Sequence, residues 1–251
     1  MSTLKLEGKV ALVTGGTAGI GLATAQHFAA EGAQVFIMGR RQSALDETVK
    51  SIGGKTVGVR GDVSKLADLD RLVETIGAQA GRLDVVFANA GGGEVSAFGS
   101  ISEEHYAKTF DVNVKGVLFT VQKVLPLLAE GASVIMIGSI AGSKGLPAFS
   151  VYNAAKAAIR SFARSWTVDL KDRKIRVNAL SPGPIDTPGL NAVATNEEEV
   201  RKFKTGLAST VPMGRLGTSD EIAKAAVFLA SDDSSFITGI ELFVDGGTAQ
   251  I

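Results

Sequence analysis

The chain has 251 residues, of which 45% are hydrophobic and 21% charged, as expected of a globular protein. Lys plus Arg and Asp plus Glu number 26 each, so the net charge gives no case for binding nucleic acid or an acidic membrane. The absence of cysteine excludes disulfides, thiolate catalysis and Cys-ligated zinc. His27 and His105 are not paired at a metal-site spacing, so we expect no metal site.

The hydropathy of the chain bears on where it works. The first residues, Met1 to Lys9, contain no apolar stretch of signal-peptide length. No run elsewhere approaches the roughly eighteen apolar residues of a membrane-spanning helix. We therefore expect a cytoplasmic protein that does not bind a membrane.

Short apolar runs alternate with helical patterns along the whole sequence. The predicted strands lie at 10–14, 35–38, 57–59, 85–88, 134–137, 175–180 and 240–244. The predicted helices lie at 20–30, 43–52, 66–79, 103–129, 152–170 and 220–230, and Pro126 bends or ends the fourth. Strands that are apolar on both faces and separated by helices predict a parallel sheet covered on both sides. We predict one α/β domain over residues 1–251, because no linker or repeat divides it.

A glycine-rich turn follows the first predicted strand. Gly15, Gly19 and Gly21 lie where this strand passes into the first helix. Glycines there let the backbone turn tightly and bring its amides near a pyrophosphate, with the positive helix N-terminus behind them. Three residues separate Gly15 from Gly19, whereas one separates the first two glycines of G-x-G-x-x-G. The strand–turn–helix context still predicts a dinucleotide site.

The end of the second predicted strand indicates which dinucleotide binds. A ribose-binding acid is expected there, but the sequence has Gly39, Arg40 and Arg41, with no acid before Asp46. A guanidinium binds a 2′-phosphate, which a carboxylate would repel. We therefore predict NADP(H), and expect Arg40→Asp with Gly39→Asp to shift the preference toward NAD(H). The alternative is that both arginines only solvate the start of the next helix.

Tyr152 and Lys156 are four residues apart, and Ser139 lies thirteen residues before the tyrosine. On a helix, this spacing places the phenol and the ammonium on one face. A nearby ammonium favours the phenolate, which suits a proton donor at neutral pH because an unperturbed tyrosine titrates near about 10. Ser139 can then hold a carbonyl oxygen while Tyr152 exchanges its proton. A Tyr-x-x-x-Lys pair also arises by chance on many helices.

Residues 181–213 are predicted to be the least regular part of the chain, with four of its six prolines. The segment lies after a strand end, where a substrate lid would lie, so we expect a lid at 187–212. The charged stretch 196–204 within it is typical of a solvated helix face.

Together these motifs resemble those of the short-chain dehydrogenase/reductase family, over essentially the whole chain. The turn at 14–21 is similar to the family's T-G-x-x-x-G-x-G motif, and 89–91 to its N-A-G turn. Residues 62–63 resemble its adenine-contacting pair, and 182–187 its nicotinamide-contacting segment. With the two arginines, the predicted cofactor-binding residues are Gly15, Thr17, Gly19, Ile20, Gly21, Arg40, Arg41, Asp62, Val63, Asn89, Ala90, Gly91, Tyr152, Lys156, Pro182, Gly183, Ile185 and Thr187.

The resemblance also implies a reaction, reversible hydride transfer between a nicotinamide and a carbonyl or alcohol carbon. The implied catalytic residues are Asn113, Ser139, Tyr152 and Lys156. Ser139 would orient the carbonyl and Tyr152 would donate the proton. Lys156 would hold the nicotinamide ribose and lower the tyrosine pKa, while Asn113 would anchor a water that links Lys156 to solvent. A Rossmann-type, doubly wound sheet of seven parallel strands and a homotetramer are implied as well.

The substrate class is predicted from the residues around this set. Expected pocket contacts are 92–94, 143–149 and 190–211, and the mostly apolar stretch 145–149 favours an apolar ketone or secondary alcohol. The sequence is similar to bacterial NADP-dependent secondary alcohol dehydrogenases. The alternatives are a 3-oxoacyl-(acyl carrier protein) reductase, a polyol or sugar dehydrogenase, and a non-catalytic NADPH-binding regulator. A carrier protein would need a basic surface, for which Lys202 and Lys204 are candidates.

Overall fold

The computed structural model describes residues 4–191 and 196–250, and within them seven of nine strands form one parallel sheet. The strands are β1 (Val10–Thr14), β2 (Gln34–Gly39), β3 (Val57–Arg60), β4 (Leu83–Ala88), β5 (Leu128–Ile137), β6 (Arg176–Pro182), β7 (Ile185–Asp186), β8 (Gly217–Thr218) and β9 (Glu241–Val244). The sheet order is β3-β2-β1-β4-β5-β6-β9, and β7 pairs with β8 separately. The predicted α/β class, with a seven-stranded parallel sheet, is confirmed.

Helices cover both faces of the sheet. They are α1 (Gly19–Ala30), α2 (Gln42–Ile52), α3 (Leu66–Gln79), α4 (Glu103–Phe110), α5 (Gly116–Val124), α6 (Ser150–Asp169), α7 (Pro188–Asn191), α8 (Glu197–Ser209) and α9 (Ser219–Ala230). A π-helix at Asp111–Lys115 joins α4 to α5. Among the described residues, no helix has the length and apolar character needed to cross a membrane.

The core has two halves, one on each side of the sheet. All five residues of β1 are buried, and successive side chains of a strand point to opposite faces. Leu12 therefore packs with the half that includes α3, α5 and α6, whereas Val13 packs with α1 and α9. Because α1 and α5 cover opposite faces, the chain leaves β1 toward one face and β4 toward the other. A crevice therefore lies between these two strands at the carboxyl end of the sheet. Dinucleotides bind in the crevice at such a point in open α/β sheets.

The structure corrects the fourth predicted helix, which was expected to run from 103 to 129. Its last α-helical residue is Val124, a short 3-10 turn follows at 125–127, and β5 begins at Leu128. Pro126 lies in that turn and supplies no N–H to continue the helix. The start of β5 was missed because Glu130 and Gly131 are exposed and interrupt the apolar pattern.

The insertion at 181–213 is more regular than predicted. It contains β7, α7 and the thirteen-residue α8. The N-terminus of α8 is capped by the Asn196 side chain, which accepts a hydrogen bond from Glu199 N at 2.9 Å. The charged stretch 196–204 lies on this helix, as predicted, and α8 has no buried residue. Residues 192–195 of the predicted lid lie outside the described residues.

Candidate active site

The turn between β1 and α1, which the sequence predicts as the pyrophosphate site, depends on its glycines. Gly15 and Gly19 have positive φ angles of 66° and 52°, which residues with side chains disfavour. A Cβ on Gly21 would collide with the carbonyl oxygen of Gly15 and lie 2.5 Å from Asn89 Nδ2. Ile20, the second residue of α1, packs its side chain against the core. The predicted cradle therefore needs glycine at these positions.

Thr14 and Asn89 fasten the ends of β1 and β4 together. The Thr14 hydroxyl accepts hydrogen bonds from Asn89 N and Ala90 N, both at 3.0 Å. Asn89 Nδ2 donates to Thr14 O at 3.0 Å and to Gly15 O at 3.3 Å. The predicted N-A-G turn thus lies beside the glycine turn, at the crevice between the two strands.

The segment after β6 passes the same turn. Pro182 ends β6, Gly183 follows it, and Ile185 is buried in β7. The Cβ position of Gly19 lies 3.5 Å from the Thr187 side chain. The structure therefore brings the predicted nicotinamide-contacting segment next to the predicted pyrophosphate turn.

Asp62 and Val63 follow β3 on the other side of the crevice. Asp62 Oδ1 accepts hydrogen bonds from Ser64 N at 3.0 Å and Ser64 Oγ at 2.8 Å. Val63 is buried, and its Cγ2 lies 2.8 Å from the Cβ position of Gly116 at the start of α5. The carboxylate is thereby oriented by its own loop, and its contact with adenine stays a prediction.

The two arginines after β2 are available to a ligand. Arg40 and Arg41 are exposed, and their guanidinium groups have no hydrogen bond or ion pair within the part of the chain that the structure describes. Asp46, the nearest following acid, instead accepts a hydrogen bond from Gln42 at 2.9 Å. Two guanidinium groups without a partner among the described residues are free to bind the 2′-phosphate that the sequence predicts there.

Gly39 packs against Thr17 of the glycine turn. This contact bears on the variant Arg40→Asp with Gly39→Asp, which was expected to change only the cofactor preference. A Cβ at this position would lie 2.9 Å from the Thr17 methyl group. An aspartate at 39 therefore collides with Thr17, so Gly39→Asp alone would disturb the turn as well as the charge.

Three of the predicted catalytic side chains lie where β5 ends and α6 begins. Tyr152 and Lys156 lie on α6, as their spacing predicts, and Ser139 follows β5. The Ser139 hydroxyl accepts a hydrogen bond from Ala141 N at 3.1 Å, and its interaction with the Tyr152 phenol lowers the pKa of that phenol. Lys156 Nζ donates to Ile137 O at 3.0 Å and lies 5.5 Å from the centre of the Tyr152 ring.

The electrostatics of this pair differ from the expectation that Lys156 lowers the tyrosine pKa. Burial raises the pKa of Tyr152 above its ordinary value, although the Ser139 hydrogen bond opposes that shift. Burial also lowers the pKa of Lys156 to about 8. Burial is the larger influence on the phenol, while the Lys156 ammonium donates its hydrogen bond to the carbonyl of Ile137. Tyr152 is thus protonated at neutral pH and suited to donate a proton.

Asn113 is buried in the π-helix between α4 and α5. Its Nδ2 donates to Gly92 O at 2.8 Å and Thr109 O at 2.9 Å, and its Oδ1 accepts from Gly92 N at 3.2 Å. The side chain therefore fixes the loop after β4. The role predicted for it, to anchor a water, stays a prediction.

Three consecutive glycines in this loop contact three of the four predicted catalytic residues. A Cβ on Gly91 would lie 2.6 Å from Asn113 Oδ1, and one on Gly93 would lie 2.6 Å from Tyr152 Cδ2. Gly92 bonds Asn113 through its backbone. The sequence predicted Gly92 and Gly93 as substrate contacts but not these contacts with side chains of the site. The run of glycines was the available signal, because such residues mark close backbone approach.

The region of the predicted lid adjoins β7. Lys204 on α8 pairs with Asp186 at 2.7 Å, and Lys202 pairs with Glu198 at 2.7 Å. A cavity of about 590 Å³ lies between α7 and α8. Among the described residues, no three His, Asp or Glu side chains gather where they could hold a metal ion.

Comparison with known proteins identifies the family. Residues 15–249 match the family model described as enoyl-(acyl carrier protein) reductase. The chain is 47% identical to the oxidoreductase asL5 of Sarocladium schorii, with 98% of both chains covered. It is 40% identical to an NADP-dependent (R)-specific alcohol dehydrogenase of Lentilactobacillus kefiri, covering 99% of this chain and all of that protein. It is 36% identical to a 3-oxoacyl-(acyl-carrier-protein) reductase of Thermotoga maritima, over 97% of this chain and 99% of that one.

The family match at 15–249 includes the glycine turn from Gly15, the loop after β4 and the α6 site. The sheet order, with its crevice between β1 and β4, is typical of dinucleotide-binding folds. The chain belongs to the short-chain dehydrogenase/reductase family of oxidoreductases, which use NAD(H) or NADP(H).

Proposed function

We propose that this protein reversibly reduces ketones to secondary alcohols with NADP(H), and that Tyr152 is the proton donor. The observation that carries the proposal is the Tyr152 phenol on α6, whose pKa the Ser139 hydroxyl lowers against burial, with the buried ammonium of Lys156 5.5 Å from the ring centre. A pure NADPH-binding regulator would not need this arrangement. The predicted lid at 187–212 and a homotetramer are part of the same proposal.

The bound nicotinamide would supply or accept the hydride. Ser139 would hold the carbonyl oxygen by hydrogen bond, and Tyr152 would give it a proton as negative charge develops there. Tyr152 holds that proton at neutral pH because burial raises its pKa. Lys156 would place a positive charge near the forming alkoxide, where low dielectric strengthens the attraction. Asn113 would keep the loop at 91–93 against the side chains of Tyr152 and Lys156.

The preference for NADP(H) rests on Arg40 and Arg41. Both are exposed and have no partner in the described residues, so a 2′-phosphate would not displace an existing ion pair. The relative from Lentilactobacillus kefiri, at 40% identity, is named as NADP-dependent, which supports the same choice.

An apolar substrate is supported by large apolar side chains on the loop after β4 and by Phe149. Val95 and Phe98, on that loop, are 65% and 91% exposed, and Phe149 lies edge-on to the Tyr152 ring. Large apolar side chains that face solvent on one loop are typical of a binding surface. These features favour a ketone with apolar substituents over a sugar or polyol.

The rival substrate is an acyl group on an acidic carrier protein, as the name of the Thermotoga maritima relative suggests for that protein. The lysines proposed to receive such a carrier are Lys202 and Lys204, and both are already in ion pairs. This pairing favours the simple ketone.

The test is the loss of NADPH absorbance with a panel of substrates, and NADH in parallel. The panel contains an aryl alkyl ketone, an aliphatic ketone, a sugar ketone and an acetoacetyl thioester. Turnover of the simple ketones with NADPH supports the proposal. Turnover of the thioester alone would replace it with the carrier-protein reaction, and NADPH binding without turnover of any ketone would contradict it.

A further inference from the structure

The loop after β4 lies against the ring of Tyr152, and Gly93 is the residue in contact. A Cβ built on Gly93 would lie 2.6 Å from Cδ2, 2.7 Å from Cγ and 3.1 Å from Cε2 of that ring. The ring therefore fills the space that any side chain at position 93 would need. The φ angle of Gly93 is not positive, so the ring rather than the backbone imposes the constraint.

This loop is held at both ends. Asn113 donates to Gly92 O at 2.8 Å and accepts from Gly92 N at 3.2 Å, directly before the contact. Ser96 N donates to Ala148 O at 2.8 Å, beyond it. The position of the loop over the ring is thus fixed by three hydrogen bonds from two other parts of the chain.

The other sides of the ring are also in contact. The Phe149 ring meets it edge to face at 5.9 Å between centres, and Lys156 Nζ lies 5.5 Å from its centre. The Ser139 hydroxyl interacts with the phenol and lowers its pKa. With Gly93 against the ring as well, packing contributes to the direction of the phenol oxygen.

We propose that Gly93 is a positioning residue: its missing side chain lets the loop pack directly on the Tyr152 ring and hold the hydroxyl at Ser139. The proposal rests on the proposed role of Tyr152 as proton donor. Carbon atoms in contact lie about 3.5–4.0 Å apart, so a methyl group at 93 must displace ring or loop by roughly 1 Å. A misplacement of that size can lower turnover by about 10²-fold.

The experiment compares Gly93→Ala with Gly77→Ala. Both add one methyl group, but the Cβ position of Gly77, on α3, has only Leu127 Cδ2 within 4 Å, at an ordinary contact distance of 3.9 Å. With a ketone that the wild type reduces, kcat should be at least about tenfold lower in Gly93→Ala than in Gly77→Ala. The Kd for NADPH should be similar in both, because the glycine turn after β1 is untouched.

A spectroscopic readout separates positioning from general damage. The chain has two tyrosines, so in a Tyr106→Phe background the phenolate absorbance reports Tyr152 alone. Its titration midpoint should differ between Gly93→Ala and the same background with glycine at 93. Equal kcat in the two alanine variants, or an unchanged titration, would overturn the proposal.

If Gly93→Ala does not fold, Ser96→Pro provides the second test. Proline removes the N–H that donates to Ala148 O and leaves glycine at position 93. It should lower kcat and leave the NADPH Kd unchanged, whereas unchanged kcat would overturn the proposal. Tyr152→Phe separates failure of the Gly93 proposal from failure of the proposed function. Normal turnover in that variant would show that Tyr152 is not the proton donor.

Discussion

Replacing Lys156 with methionine should change how the stability of the protein depends on pH. The lysine side chain is 4% exposed, and its ammonium hydrogen-bonds only one backbone carbonyl oxygen, that of Ile137, among the described residues. Burial without a paired carboxylate disfavours the charged form, which lowers its pKa from 10.5 to about 8. Methionine has a similar length and carries no charge, so it removes the titration while keeping most of the packing.

The magnitude follows from the size of the pKa shift. One pKa unit corresponds to about 1.4 kcal/mol, so the buried charge makes folding less favourable by about 3 kcal/mol where both states are protonated. This cost is fully present below a pH of about 8. Between about 8 and 10.5 the unfolded state binds more protons, so the free energy of unfolding rises with pH. The cost falls to about 1 kcal/mol at a pH near 10.

Urea unfolding at neutral and alkaline pH measures this effect in the apo protein. The protein concentration is kept fixed because association would shift the midpoint. From neutral pH to a pH near 10, the unfolding free energy of the wild type should rise by about 2 kcal/mol relative to that of Lys156→Met. Lys55→Met is the control, since Lys55 is exposed, and it should show no such trend. A constant difference between wild type and Lys156→Met would refute the account of the buried charge.

Two further predictions concern the cofactor. Arg40→Ala with Arg41→Ala should raise the Kd for NADPH by about 10- to 100-fold, as expected for lost hydrogen bonds to a charged group, and should change the Kd for NADH little. An equal change in both constants would contradict the assignment of the 2′-phosphate. Gly39→Asp alone should weaken both cofactors, because the new side chain meets the Thr17 methyl group at 2.9 Å. Adding Thr17→Ser removes that methyl group and should restore NADH binding; a double variant no better than Gly39→Asp would show that Thr17 is not the obstacle.

The sheet could be predicted from local sequence patterns. The strand at 10–14 has the predicted bounds, because an unbroken apolar run followed by glycines reads as a buried strand entering a turn. The Tyr152–Lys156 spacing likewise predicted that both side chains lie on α6. In each case the signal lies within a few residues of the feature.

Features that depend on distant segments could not be predicted in this way. The helical spacing of Tyr152 and Lys156 says which face they share but not how deeply that face is buried. Burial reverses the expected direction of the Tyr152 pKa shift, and it depends on loops such as that of Gly93, far away in sequence. The collision between a Cβ at position 39 and Thr17 also could not be predicted, because it depends on how β2 packs beside the turn after β1.

The central claim is that Tyr152 donates the proton, and Tyr152→Phe tests it most directly. Tyr106→Phe is the matched control, because Tyr106 lies on α4 and is 50% exposed. With NADPH and a ketone that the wild type reduces, we expect Tyr152→Phe to fold, to keep its Kd for NADPH and to lose at least about 10²-fold in kcat. Near-normal turnover in Tyr152→Phe, with the control also active, would contradict the proposed mechanism.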